Sequence, residues 1–204
     1  MEGVASTDQR KKIHPHKFAL WVAMGSIAMM FAGLTSAYVV KQAGGNWRSY
    51  HLPSVFWIST LVIILSSVTI IMGLKAFKNR AIPKYKRLIT ITLLLGIAFG
   101  VLQFIGFYEL YSQPQQVILN GETQDRFMPV TIPGNPSESF LFVITGLHLL
   151  HIIGGIIALA IVFFRAFRKR VKVYNTTGLE IVASYWHFVD VLWIYLFVFF
   201  LANQ

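Results

Sequence analysis

The chain has 204 residues, of which 55% are hydrophobic, 15% are aromatic and only 13% are charged. A soluble domain carries about 25% charged residues, so this composition excludes an ordinary soluble globular protein and also a disordered one. The absence of cysteine excludes disulfides, iron–sulfur clusters and thiolate-ligated zinc or copper. The net charge of +10 is compatible with a nucleic-acid partner until the positions of the charges are considered.

Five long segments are nearly free of charge, and Asp190 is the only one of the 26 charged residues inside them. Each segment has 21 to 26 residues, which is enough to cross a bilayer core of about 30 Å as a helix. The sequence therefore predicts an all-α integral membrane protein, a bundle of five transmembrane helices that forms one membrane domain over 18–204. The predicted spans are 18–40, 52–74, 88–108, 139–164 and 181–203.

The basic residues predict the orientation of the spans. Fifteen of the 18 lysines and arginines lie in the N-terminal segment 1–17, between the second and third spans, or between the fourth and fifth. By the positive-inside rule the N-terminus is cytoplasmic and the C-terminus lies outside. Membrane topology thus accounts for the positive charge, and no nucleic-acid partner is expected. The outer loop 109–138 is rich in turn-forming residues and is either a small ordered cap or a docking loop.

Small residues recur at helical spacing in three of the spans. Helices in lipid associate through close backbone approach, which small side chains permit. We therefore expect helix-packing surfaces at Ala28, Ala32 and Ser36 in the first span, Gly96 and Gly100 in the third, and Gly154 in the fourth.

Ionisable side chains are rare in the spans and are therefore functional candidates. They are His148 and His151 in the fourth span, His187 and Asp190 in the fifth, and Glu180 at its cytoplasmic mouth. Counting 1.5 Å per residue places His151 and Asp190 at similar depth. We therefore expect the fourth and fifth spans to be neighbours, joined by a contact between histidine and carboxylate.

Three interpretations of these side chains are possible. Metal or haem ligation needs further ligands, and the other three spans contain no His, Cys, Asp or Glu, so no metal and no cofactor is expected in this chain. The favoured interpretation is a hydrogen-bonded polar layer, in which the imidazoles and the carboxylate satisfy one another and fix the helix register. Proton handling is the second choice, because a cluster of His and Asp can titrate near neutral pH.

The fifth span contains the run Tyr185–Trp193, YWHFVDVLW, preceded by Glu180. This run strongly resembles the C-terminal signature of subunit III of haem–copper oxidases. The fourth span resembles the preceding helix of that family, in which a TGxHxxHxxxG pattern recurs, here from Thr145 onward. Elements of the second and third spans are also similar to the family, namely Ser66-Ser67-x-Thr69, Leu95-Gly96, Gln103 and Tyr108-Glu109.

The resemblance implies a non-catalytic subunit III of a cytochrome c oxidase in the bacterial inner (plasma) membrane. Such a subunit stabilises subunit I, holds phospholipids and supports proton uptake, while the haems and copper lie in the partner subunits I and II. A larger respiratory supercomplex is a further expected partner. Trp186 and Trp193 are expected to line lipid or subunit contacts. The implied polar cluster with a lipid-related or proton-related role comprises His148, His151, Glu180, His187, Asp190, Gln103 and Trp186.

The sequence also departs from the family. The first two helices of the seven-helix relatives are absent, as in the shorter bacterial members. Many relatives carry a Glu in the helix that matches 18–40, where this chain has Ile27, so the proton-collecting role of that Glu is not carried over. Two alternatives stay open: a subunit III relative in a quinol oxidase or nitric oxide reductase, and a small polytopic transporter or channel subunit.

Overall fold

The computed structural model describes residues 15–44, 52–112, 115–119, 122–126, 136–168 and 176–203. Most of the basic segment 1–17 and of the turn-rich part of the loop 109–138 lies outside these residues. Five helices are present, and by length and composition each is able to cross a membrane, as predicted. They are α1 (Pro15–Gln42), α2 (Val55–Lys78), α3 (Ile82–Ser112), α4 (Pro136–Phe167) and α5 (Thr177–Ala202).

The structure describes α1 from Pro15 and α4 from Pro136 onward. At most of their ends the helices also extend beyond the apolar spans into the charged flanks, because hydrogen bonding within a helix does not stop where the apolar sequence stops.

A tight turn joins α2 to α3. The amide of Ala81 donates to the carbonyl of Ala76, and the amide of Arg80 donates to that of Phe77, both at 3.0 Å. This pattern closes a helix C-terminus and requires a left-handed residue, here Arg80 with φ of 57°. The short connection makes α2 and α3 an antiparallel helix hairpin with the most extensive contact in the bundle.

The outer loop contains a β-hairpin, which the all-α prediction did not include. Strands β1 (Gln115–Leu119) and β2 (Glu122–Arg126) pair antiparallel, with Gln115 opposite Arg126 and Leu119 opposite Glu122. The two residues between the strands in the sequence are Asn120 and Gly121, a pair that favours hairpin turns. The predicted loop thus contains an ordered element, while the five spans are helical as expected.

Helix α5 is the centre of the bundle. It contacts α1, α2 and α4, and 44% of the residues in its most apolar segment are buried, against 17% in α1. The predicted neighbourhood of the fourth and fifth spans is confirmed, because α4 packs on α5. Among the described residues the backbone of α1 lies close only to α4 and α5, whereas that of α2 lies close to α3 and α5. We call the space between α1 and α2 beside α5 the groove.

Trp186 of α5 is the largest fully buried side chain, and glycines make room for it. A methyl group built on Gly155 of α4 would lie 2.9 Å from the indole, and one built on Gly96 of α3 would lie 3.0 Å from it. These distances are too short for carbon atoms in contact. The glycines therefore allow α3 and α4 to close on the same indole from two sides.

Gly155→Ala is expected to lower the free energy of unfolding by about 1–3 kcal/mol, because the added methyl overpacks the indole site. The measurement is the midpoint of thermal unfolding of the chain purified in mild detergent. Gly146→Ala is the matched control on the same helix, since a methyl there meets nothing within 4 Å. Equal midpoints for the two variants would contradict the proposed overpacking.

Candidate functional site

Hydroxyl groups of α2 accept hydrogen bonds from aromatic side chains of α5. The indole N–H of Trp186 donates to Ser66 Oγ at 3.1 Å, and that of Trp193 donates to Thr60 Oγ1 at 3.0 Å. Between lipid tails no water is present to accept these protons, so each indole needs an acceptor within the protein. The two bonds fix the register and the rotation of α5 relative to α2.

The imidazole of His187 continues this interface. Its Nδ1 lies 2.6 Å from Ser67 Oγ and 3.7 Å from Asp190 Oδ2, the latter one turn further along the same helix. The His187 side chain is 31% exposed and that of Asp190 is 5% exposed. The contact between histidine and carboxylate therefore forms within α5. The expected contact between His151 and Asp190 is wrong, since the described residues give Asp190 no partner from α4.

His148 and His151 point to different neighbours although they are only one turn apart. His148 is fully buried and stacks on Trp193, with ring centroids 5.4 Å apart and an angle of 20° between the planes. His151 places Nδ1 2.7 Å from the carbonyl of Leu147 in its own helix. Phe31 of α1 packs edge-on against both imidazoles, at 6.4 Å and 5.8 Å.

The favoured polar layer exists in a different form from the one predicted. Neither ring nitrogen of His148 and neither oxygen of Asp190 has a hydrogen-bond partner among the residues that the structure describes. The imidazoles and the carboxylate therefore do not satisfy one another. Hydroxyl groups of α2 bond instead to the indoles of α5 and to His187. From the sequence, Ser66 and Ser67 were recognised only as part of a family motif.

Gln103 of α3 joins the same layer. Its amide Nε2 donates to Ser59 Oγ at 3.0 Å, and both residues are fully buried. Ser59 in turn donates to the carbonyl of Phe56 in its own helix. The Oε1 atom of Gln103 has no hydrogen-bond partner within the described part of the chain. Gln103 thus links α3 to α2 at a depth where water is absent.

Glu180 bridges the groove between α1 and α2 at one end of the bundle. Its Oε2 accepts from Nζ of Lys17 at the start of α1, and its Oε1 lies 2.8 Å from Nζ of Lys78 at the end of α2. One carboxylate therefore connects three helices. The predicted position of Glu180 at the mouth of the fifth span agrees with this contact, whereas neither lysine partner was predicted.

The predicted small-residue surfaces differ in what they contact. A methyl built on Gly100 would meet Ile156 of α4 at 3.1 Å, and one on Gly154 would meet the Tyr185 hydroxyl at 3.6 Å. On α1, by contrast, the three small residues of the predicted surface are exposed, namely Ala28, Ala32 and Ser36. Within this chain α1 packs instead through larger side chains.

Two further expectations concern the tryptophans and metal ligands. Trp186 and Trp193 do not line lipid or subunit contacts, because they are 0% and 2% exposed inside the bundle. Their indole N–H groups need partners, which favours positions beside the α2 hydroxyls. Within the described ranges, no three His, Asp or Glu side chains are grouped as metal ligands would be.

Comparison with known proteins identifies the family. The sequence model described as "Cytochrome c oxidase subunit III" matches residues 122–202. A Mycobacterium leprae protein named "Probable cytochrome c oxidase subunit 3" is 31% identical over 96% of this chain and 94% of its own length. A Corynebacterium diphtheriae protein named "Cytochrome c oxidase subunit 3" is 30% identical over 83% of this chain and 79% of its own length.

The fold defines the class as a multi-pass α-helical membrane protein whose central helix is fixed by hydrogen bonds to its neighbours. The sequence identity to these relatives and the share of each chain that is covered define the family. The chain belongs to the cytochrome c oxidase subunit III family of the haem–copper oxidases. It is accordingly a multi-pass protein of the bacterial plasma membrane and one component of a complex with other oxidase subunits.

Ser66→Ala is expected to lower the free energy of unfolding by about 1–3 kcal/mol, because the buried indole of Trp186 loses its acceptor. The midpoint of thermal unfolding in detergent reports the change. The control is Ser36→Ala, which removes an exposed hydroxyl on α1 and is expected to change stability by less than about 0.5 kcal/mol. A Ser66→Ala variant as stable as its control would contradict the assigned bond.

Lys17→Gln and Glu180→Gln are expected to show a coupling energy of about 0.5–1 kcal/mol in a double-mutant cycle, since the pair is only partly buried. The midpoints of thermal unfolding of the natural sequence, the two single variants and the double variant give this coupling energy. Raising the salt concentration screens the charges and is expected to reduce it. Strictly additive effects at low salt would show that the carboxylate does not hold α1.

Proposed function

We propose that this chain is the non-catalytic subunit III of a bacterial cytochrome c oxidase, which reduces O₂ to water and moves protons across the membrane. The observation that carries the proposal is the similarity to proteins named cytochrome c oxidase subunit 3 over nearly the whole chain, in a bundle of five apolar helices. In this proposal the haems and copper lie in the partner subunits I and II.

The proposed orientation has the N-terminus in the cytoplasm and the C-terminus outside. The ion pairs of Glu180 support a common side for the start of α1, the end of α2 and the start of α5. Most lysines and arginines of the chain flank this side, which the positive-inside rule assigns to the cytoplasm. The hairpin of β1 and β2 then lies on the outer side.

The proposed structural role is to stabilise subunit I and, through it, the whole complex. The exposed small residues of α1 support a close approach of another membrane helix, since small side chains left accessible allow backbones to come near. The α1 helix is also the least buried of the five, so a large part of its surface is available to subunit I.

A phospholipid is proposed to occupy the groove between α1 and α2. The face of α5 that carries Glu180 also carries Ser184, His187 and Val191, because these residues follow at three-residue or four-residue spacing. Since Glu180 contacts both α1 and α2, this face forms the floor of the groove. The floor is polar near Glu180 and apolar further along, where Val191 is 65% exposed, which suits a headgroup and an acyl chain.

Support for proton uptake is proposed to act through positioning of subunit I. Within the predicted spans, the described histidines and carboxylates are the fully buried His148, the partner pair His187 and Asp190, and His151. They are held by ring contacts and by α2 hydroxyls, an arrangement that suits a rigid support. The span 18–40 contains no Asp or Glu, so the proposal assigns no proton-collecting carboxylate to α1.

The test is to purify the complex in mild detergent through a tag on this chain and to record a reduced-minus-oxidised optical spectrum. We expect haem absorbance, and we expect mass spectrometry to identify subunits I and II, with the band positions naming the haem. An untagged strain controls for nonspecific capture. A colourless preparation, together with no oxidase subunit crosslinked to this chain before extraction, would reject the proposal.

A further inference from the structure

The turn between α2 and α3 borders an open cavity of about 300 Å³. The cavity is distinct from the groove between α1 and α2, because every residue that lines it belongs to the α2–α3 helix hairpin. Its lining combines an apolar floor with two ammonium groups and one amide, supplied by Met72, Lys75, Ala76, Asn79, Ala81 and Lys84.

The charge of this hairpin is strongly one-sided. Residues 52–108 contain six lysines and arginines and no aspartate or glutamate. Two of the cations are engaged within the bundle, since Lys78 pairs with Glu180 and Lys86 lies over the ring of Phe167 at 5.3 Å. Lys75 and Lys84 have no carboxylate partner in the described ranges, and both line the cavity. The cavity therefore carries two positive charges and suits an anion.

The depth of the cavity indicates which anion. Met72 lies near the end of the apolar span 52–74, and Lys75 is the first residue after that span. The cavity thus lies where hydrocarbon gives way to headgroups. Met72 lines the cavity and is 45% exposed, so part of its side chain is accessible to a lipid tail. A ligand seated here meets apolar surface on one side and two lysines on the other, which matches the chemistry of a phospholipid.

We propose that this cavity binds one anionic phospholipid of the cytoplasmic leaflet. Lys75 and Lys84 contact the phosphate oxygens, the Asn79 amide donates to the headgroup, and the first acyl carbons lie against Met72. Lysine is a common phosphate ligand, and a juxtamembrane lysine gains further from the negative leaflet surface. The inference rests on the proposed membrane orientation, and it adds a second lipid site to the groove.

The test compares the tagged oxidase complex of the natural sequence with the double variant Lys75→Gln and Lys84→Gln. Phosphatidylglycerol is titrated into each complex in a neutral detergent, and bound lipid is counted by native mass spectrometry. We expect the affinity of one site to fall about tenfold or more. The matched control is Arg165→Gln with Arg168→Gln, which removes two exposed charges near the same membrane face but outside the cavity, and it is expected to keep that site.

If the control loses as much affinity for phosphatidylglycerol as the double variant, the lipid is held by general electrostatic attraction and the proposal is wrong. Unchanged affinity in the double variant would also overturn the proposal. Met72→Gln keeps both lysines and is expected to weaken phosphatidylglycerol binding without changing the binding of inorganic phosphate. If inorganic phosphate alone displaces the lipid at equal concentration, the cavity is a site for a soluble anion and the proposal is wrong. Recovery of subunits I and II with the double variant separates this result from the proposed function.

Discussion

The structure depends on the hydrogen bonds that run from the α5 indoles to hydroxyl groups of α2. In hydrocarbon no water is available to accept a hydrogen bond from an indole N–H. Trp186 and Trp193 are therefore buried where the hydroxyls of Ser66 and Thr60 accept those bonds. Once these two bonds set the rotation of α5, the remaining contacts follow from it. His148 stacks on the indole of Trp193, and Gly155 leaves room for the indole of Trp186.

The five helices were predictable because the bilayer imposes a length and excludes charge, and both constraints are visible in the sequence. The hydrogen-bond partners of the buried polar groups were not predictable from the sequence. A serine in a helix bonds either to its own backbone or to a neighbouring helix, and Ser59 does both. Small residues are equally ambiguous: Gly96 lies against the Trp186 indole of α5, whereas Ala32 is exposed on the surface of the bundle.

The error over His151 and Asp190 has a geometric cause. Residue counting gives the depth of a side chain, since the helical rise is constant, but it does not give the direction in which the side chain points around the axis. His151 turns toward Phe31 of α1, and the neighbour of Asp190 is His187 on the same helix. Rotation is set by packing, which one sequence does not reveal.

The isolation of α1 from α2 has a consequence for biogenesis. The α2–α3 hairpin consists of contacts between residues close in sequence, so it can form as soon as both helices enter the bilayer. The backbone contacts of α1 are with α4 and α5, and α4 begins 94 residues after the end of α1. Until α4 and α5 are made, α1 is therefore in the membrane without the helices on which it packs. During that time its surface is accessible to insertion factors or to the subunit that it will join.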